Sequence, residues 1–174
     1  MDEPYNRGFC LAEVLLTLAI VTIIASFAFP AFTQTLERYR HEAIKQDFIA
    51  HLDIARSLSI QKRRRIKICP LHTENICGKN WSAGLTIIDD HNFTILANHA
   101  LNGSYAIYST RQNSPFYYQK DGTSGGSNRR LILCDKNNHV VWQIIINLQG
   151  RVRSIQGLEK GQTNQILCTP TAST

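Results

Sequence analysis

The chain contains no Cys-x-x-Cys or His-x-x-x-His spacing, which removes the usual zinc frameworks. No serine or cysteine stands in a recognisable nucleophile motif. The six histidines, His41, His51, His72, His91, His99 and His139, are scattered through polar surroundings. Asp89-Asp90, which could suggest an acid pair, follows a strand-like run and precedes His91-Asn92, so it reads as a turn. An enzyme is therefore not expected, and neither a metal nor a cofactor. Prolines number only five, and 43% of residues are hydrophobic, which speaks against disorder. Two further absences are positional. No charged residue occurs from 14 to 32, and no glycine or proline from 34 to 62.

Residues 14–32 are apolar except for Thr17, Thr22, Ser26 and Pro30. A helix of about 20 such residues spans a bilayer core of about 30 Å, so the chain is expected to begin with a membrane segment. The preceding residues do not make a conventional secretory signal, because Asp2 and Glu3 outweigh Arg7 and Glu13 enters the apolar run. An acid inside a bilayer costs about 2.5 to 3.5 kcal/mol on insertion scales. Glu13 thus calls for a partner.

Gly8, Phe9, Glu13 and the apolar helix that follows resemble the leader of type IV prepilins and pseudopilins. The resemblance implies that a prepilin peptidase cuts between Gly8 and Phe9 and that the new amino terminus is methylated. It also implies that Glu13 neutralises the terminal amine of a neighbouring pilin during subunit assembly. The charge logic agrees, since an ammonium and a carboxylate are each costly alone in a low-dielectric bundle and tolerable together. The leader is less basic than is usual for this class, and Cys10 stands where a small polar residue is common.

Beyond the membrane segment the helix is expected to continue to about Lys62. Ile44, Phe48, Leu52 and Ala55 follow the i, i+4, i+8, i+11 spacing of one helical face. A helix from Phe9 to Lys62 would be roughly 80 Å long at about 1.5 Å per residue, with a kink at Pro30. Past Arg65 the period changes. Segments 65–69, 85–89, 93–97, 105–109, 116–118, 130–134, 140–147 and 151–155 are short, rich in branched or aromatic residues and mostly bounded by turn signals. The expectation is an α+β fold, one long helix packed against antiparallel β-sheet. The organisation expected is a leader at 1–8, a transmembrane or filament-core helix at 9–32, its amphipathic continuation at 33–63, and a β-rich domain at 64–174 with a mobile C-terminal tail. Residues 122–128, Gly-Thr-Ser-Gly-Gly-Ser-Asn, read as a flexible loop. With this part outside the cytoplasmic membrane, Cys69, Cys77, Cys134 and Cys168 suggest two disulfides. Three connectivities are open, and the pairing expected is Cys69 with Cys77 and Cys134 with Cys168.

The formal net charge is +6. Loss of residues 1–8 would leave 18 bases against 11 acids, with basic regions at 34–65 and 103–174 and a nearly neutral middle. Lys62-Arg63-Arg64-Arg65 suits a helix C-terminus. Gly150-Arg151-Val152-Arg153 is the sharper feature. Alternate strand residues share a face, so Arg151 and Arg153 would project together about 7 Å apart, near the spacing of phosphates along a DNA strand, with Val152 turned to the core. Such a pair is a small phosphate clamp, and the glycine would leave room for close backbone approach. Arg-x-Arg on an edge strand is otherwise an ordinary soluble face.

The order Cys69-Pro70, Cys77, Trp81-x-x-Gly84, then 116–122, 131–135 and Gly-Arg-Val-Arg resembles the FimT/GspH family of minor pilins and pseudopilins. The resemblance implies a type IV pilin-like fold. FimT-like members use Gly-Arg-x-Arg to bind DNA, which falls here on Gly150, Arg151 and Arg153, with Arg129, Arg130, Lys136 and Lys160 as supplementary candidates. The function so implied is a minor pilin that binds extracellular double-stranded DNA, largely without sequence preference, for uptake in natural transformation. Its partners would be DNA, other major and minor pilins, the prepilin peptidase and the inner membrane before assembly. Its place would be the inner membrane with a periplasmic domain, then the pilus filament or tip. The alternative is a GspH-type pseudopilin of type II secretion, or a minor pilin that primes pilus assembly without touching DNA.

Overall fold

A run from 11 to 62 without glycine, with Pro30 its one proline, followed by a cluster of cations at Lys62 to Arg65 sets the first element. In a computed structural model the helix α1 (Leu11–Lys62) carries Glu13 in its first turn and Lys62 in its last. The structure describes residues 11–71, 77–101, 105–110, 114–126 and 128–168, apart from the side chains of Pro30, Asn98 and His99. Gly8, Phe9, Cys10 and His72 lie outside the described residues. The assigned helix runs through Pro30 without a break.

The chain divides into two units, residues 1–42 and residues 43–174. In the first, the described part of α1 is exposed almost throughout, with Glu13, Leu15, Ile20, Ile24 and Phe29 open, and this helix is long and apolar enough to cross a membrane. Residues 43–62 of α1 belong to the second unit together with the β-rich part. Buried area explains why. Phe48, Leu52 and Ala55 are fully buried and Ile44 nearly so, and a helical face that buries such side chains is inseparable from what covers it.

What covers it is the expected antiparallel β-structure, arranged as two four-stranded sheets. The strands are β1 (Ile66–Pro70), β2 (Gly84–Asp89), β3 (Thr94–Ala100), β4 (Ala106–Ser109), β5 (Phe116–Tyr118), β6 (Arg129–Cys134), β7 (Val140–Ile146) and β8 (Val152–Gln156). A 3₁₀ turn, Trp81–Ala83, precedes β2, and a short helix α2 (Asn164–Leu167) follows β8. One sheet has the order β3-β2-β1-β5 and the other β4-β6-β7-β8. Both contribute to one core with the helix stripe: Ile66, Ile68, Leu85, Ile87, Phe116 and Tyr118 from the first, Ile107, Leu131, Leu133, Trp142, Ile144 and Ile146 from the second. Phe48 meets Trp142 with ring centroids 6.3 Å apart.

Cys69 pairs with Cys77 and Cys134 with Cys168, their Cα atoms 5.4 and 5.8 Å apart. The second bond corrects the expected mobile tail as far as Cys168. Cys168 is buried against Ile132, Cys134 and Val140, and Asn164 Oδ1 accepts from the Val140 amide at 2.9 Å. Residues 169–174 lie outside the described residues.

The expected flexible loop at 122–128 is also corrected in its first half. Gly122 and Ser124 are buried, and the loop braces the turn between β7 and β8. Ser124 N donates to Leu148 O at 3.0 Å, and Ser124 Oγ donates to Asn147 O at 2.8 Å. Arg56 of α1 holds both turns, its Nε donating to Gly122 O at 3.0 Å and its Nη2 to Gln149 O at 3.1 Å. At the contact of the two turns stands Gly150, with φ +75. A Cβ there would lie 2.0 Å from the Gly122 carbonyl oxygen. Gly150→Ala is therefore expected to cost about 2–3 kcal/mol in urea unfolding of the detergent-solubilised chain. Gly157→Ala, at φ +69 with nothing within 4 Å of the added Cβ, should cost only about 1 kcal/mol. Equal losses would show that the close approach of the two turns is not what fixes Gly150.

Candidate nucleic-acid interface

The β7–β8 connection is a tight hairpin built by its own residues. Gly150 N donates to Asn147 O at 2.9 Å, Asn147 N to Arg151 O at 3.1 Å, and Arg151 N to the Asn147 side chain at 2.8 Å. A turn closed in this way, with a glycine in the left-handed region before the return strand, sets register and twist together. Arg151 and Arg153 emerge exposed, and Val152 between them packs against the core. The role expected for Gly150 is corrected here. The space left by its missing side chain is filled by the Gly122 carbonyl and the Tyr118 ring, so it serves the hairpin and does not offer backbone to a ligand.

Register decides which other cations join. Arg130 of β6 and Arg153 of β8 are both partners of Ile145 of β7, one on each side. Directly opposed residues share a sheet face, so the two arginines stand about 10 Å apart across two strand spacings. Arg130, Arg153, Thr110, Asn128, Asn147, Ile145 and part of Arg129 line a cleft of about 420 Å³ at this end of the sheet.

Three supplementary candidates fare differently. Arg129 is 3% exposed, its guanidinium 5.6 Å from the Phe116 ring centroid, and it donates to Ser114 Oγ and Pro115 O at 3.2 and 3.1 Å. As the strand neighbour of Arg130 it points to the opposite face, so it is a core-side cation and not a surface contact. Lys136 is exposed in the β6–β7 turn, at the other end of strands whose span is about 3.3 Å per residue, and is not brought to the cleft. Lys160 is exposed on the turn after Glu159.

Sequence reading missed Glu159, Gln143 and Arg56. Glu159 Oε2 lies 2.8 Å from Arg130 Nη2, and its Oε1 lies 3.3 Å from Arg153 Nη2. Gln143, fully buried, accepts from Arg130 Nη1 and donates to Gly157 O at 2.6 Å and Gln162 Oε1 at 2.8 Å. The one available signal was that residues 103–174 hold only three acids, of which Glu159 lies closest in sequence to the arginine pair. Arg151 has no ion-pair partner among the described residues. Of the cations at the C-terminal end of α1, two are engaged elsewhere: Arg65 Nε donates to Asp90 Oδ2 at 2.6 Å and its guanidinium stacks 4.7 Å from the Tyr117 ring centroid, while Arg64 lies 3.6 Å from Asp89. No cluster of three or more metal-ligating side chains occurs among the described residues.

Comparison with known proteins follows the same outline. Residues 45–150 match the family model of the type II transport protein GspH. Two crystal structures of the Pseudomonas aeruginosa type IV minor pilin FimU are similar in fold. One is 22% identical over 67% of this chain and 89% of that one, with a TM-score of 0.55. The other is 20% identical over 66% and 91%, with a TM-score of 0.53. No curated protein matches in sequence.

The hydrogen bond from Arg130, with its charge and that of Arg153, holds the Glu159 carboxyl below the usual carboxylate range. The Thr123 amide and hydroxyl do the same for Asp121 beside the bracing loop. A carboxyl depressed in the folded state adds stability above its unfolded value, about 4.3 for Glu, and that stability is lost as pH falls through the folded value. Urea midpoints are accordingly expected to drop on acidification below about pH 4. Glu159→Gln should flatten that drop; an unaltered pH profile in the variant would show that the arginine pair does not stabilise the fold.

Proposed function

The chain belongs to the GspH family of minor pilins and pseudopilins, and from that premise we propose that it is a minor type IV pilin that captures extracellular double-stranded DNA for uptake in natural transformation. One observation carries the reading: Arg153 and Arg130 flank Ile145 on one face of the second sheet, and exposed Arg151 stands two residues before Arg153 at the end of the braced hairpin. Guanidinium groups at these spacings suit successive phosphates of one strand. Binding is therefore by phosphate contact and largely blind to sequence. The leader is removed between Gly8 and Phe9 by a prepilin peptidase, Phe9 is methylated, and Glu13 meets the amine of a neighbouring pilin. The protein resides in the inner membrane with its β-rich unit in the periplasm and then joins the filament or its tip.

The description of the matching family as a type II transport protein favours a second reading, a GspH-type pseudopilin of type II secretion. The two part on DNA. Fluorescence titration of the detergent-solubilised chain with a duplex should give a slope of log affinity against log salt of roughly −2 to −4, and Arg151→Ala with Arg153→Ala should abolish most of the binding. Equal binding by the double variant would remove these residues from the mechanism, and loss of secretion with intact DNA uptake on gene deletion would favour the pseudopilin. Intact-mass measurement of native protein should find a chain beginning at methylated Phe9; retention of residues 1–8 would overturn the processing.

A further inference from the structure

An acid at the centre of a phosphate-binding surface is out of place unless it has a task. Glu159 bridges two arginines that flank Ile145 from either side, with one carboxylate oxygen on each. Two oxygens of one phosphate would make the same pair of charge-assisted bonds. Glu159 is carried on a turn bounded by Gly157 at φ +69 and Gly161 at φ +87, and neither has any atom within 4 Å of where a Cβ would stand. Its own anchors are polar and local: its amide donates to Gln162 Oε1 at 2.9 Å, and Gln162 Nε2 donates to Glu159 Oε2 at 3.3 Å.

We propose that Glu159 is an internal stand-in for phosphate that sets which anions the cleft accepts, yielding to a polyanion that engages several cations at once and not to a single free phosphate. The inference rests on the phosphate-binding reading above. A carboxylate tethered within the same domain competes at an effective concentration of about millimolar or more. Free phosphate offers no more bonds than the carboxylate it must replace, so it gains little at lower concentration. A DNA strand differs because its phosphates are linked. The first engages Arg151, which has no competing acid among the described residues, and this holds the next beside Arg153 and Arg130, where exchange with Glu159 becomes intramolecular. Selection for polyanions then comes from two arginines that share Glu159 and a third, Arg151, with no acid on it among the described residues.

The test uses the full-length chain in detergent micelles, wild type against Glu159→Gln, each checked for folding by circular dichroism. Glu159→Gln is expected to bind duplex DNA about tenfold more tightly, with a salt slope more negative by about one, and to acquire calorimetrically detectable binding of inorganic phosphate in the millimolar range. Adding Arg130→Ala should erase both gains. If DNA binding depends on Arg151 and Arg153 but is no tighter in Glu159→Gln, the role of Glu159 is overturned and the DNA reading stands. If DNA binding does not depend on those arginines, the DNA reading fails, and the phosphate titration alone decides: equal affinity of the two proteins for phosphate overturns the stand-in.

Discussion

Burial of one helical stripe governs the globular unit. Phe48, Leu52 and Ala55 are removed from water completely, and each fully buried side chain as large as Phe or Leu contributes about 1.5–3 kcal/mol. The stripe meets residues of both sheets in a single cluster, so it fixes two sheets that share no strand. One residue beyond Ala55, Arg56 turns off the buried face and reaches the carbonyls of Gly122 and Gln149. The helix register that buries Phe48 thus also sets the position of the hairpin that carries Arg151 and Arg153. Packing and site are coupled through one side chain.

The second sheet divides its labour along its length. Its inner face is apolar through Leu131, Leu133, Trp142, Ile144 and Ile146. Its outer face is closed at one end by the segment ending in Cys168, packed on Ile132, Cys134 and Val140. The other end stays open and carries Arg130 and Arg153. Gln143, two residues before the Ile145 that separates them, is fully buried; its bonds to Arg130, Gly157 and Gln162 satisfy a polar group that would otherwise be costly there. The Cys134–Cys168 bond and this network anchor opposite ends of the same C-terminal segment.

Much of this was legible in local pattern. The eight strand segments followed from branched and aromatic runs between turn signals, and the end of α1 from its cations, because these depend on neighbours in sequence. The division into two sheets was not legible, since β4 and β5 join different sheets and pairing is non-local. The bracing role of Gly122 and Ser124 was hidden for the same reason: composition describes a loop's freedom in isolation and not the carbonyls it meets. Arg129 and Arg130 are instructive. Strand alternation alone places them on opposite faces, so only one of the two could ever have joined Arg151 and Arg153. Glu159 was hidden because its meaning lies in register, the chance of Arg130 and Arg153 sharing Ile145.

The three surface arginines are not equivalent, and the difference follows from geometry. Arg130 is mostly covered and spends two nitrogens on Gln143 and Glu159. Arg153 is more exposed but shares Glu159, whereas Arg151 has no ion-pair partner among the described residues. Coulomb attraction between exposed groups is screened beyond about 8 Å at physiological salt, so a diffusing polyanion first senses the cation whose field is not already cancelled. In the proposed reading that is Arg151. Arg153 and Arg130 then matter at short range, where an incoming phosphate can take over bonds already oriented by Glu159. The internal acid lowers long-range attraction yet keeps two guanidinium groups ordered for the exchange, so less side-chain freedom has to be lost when the ligand arrives.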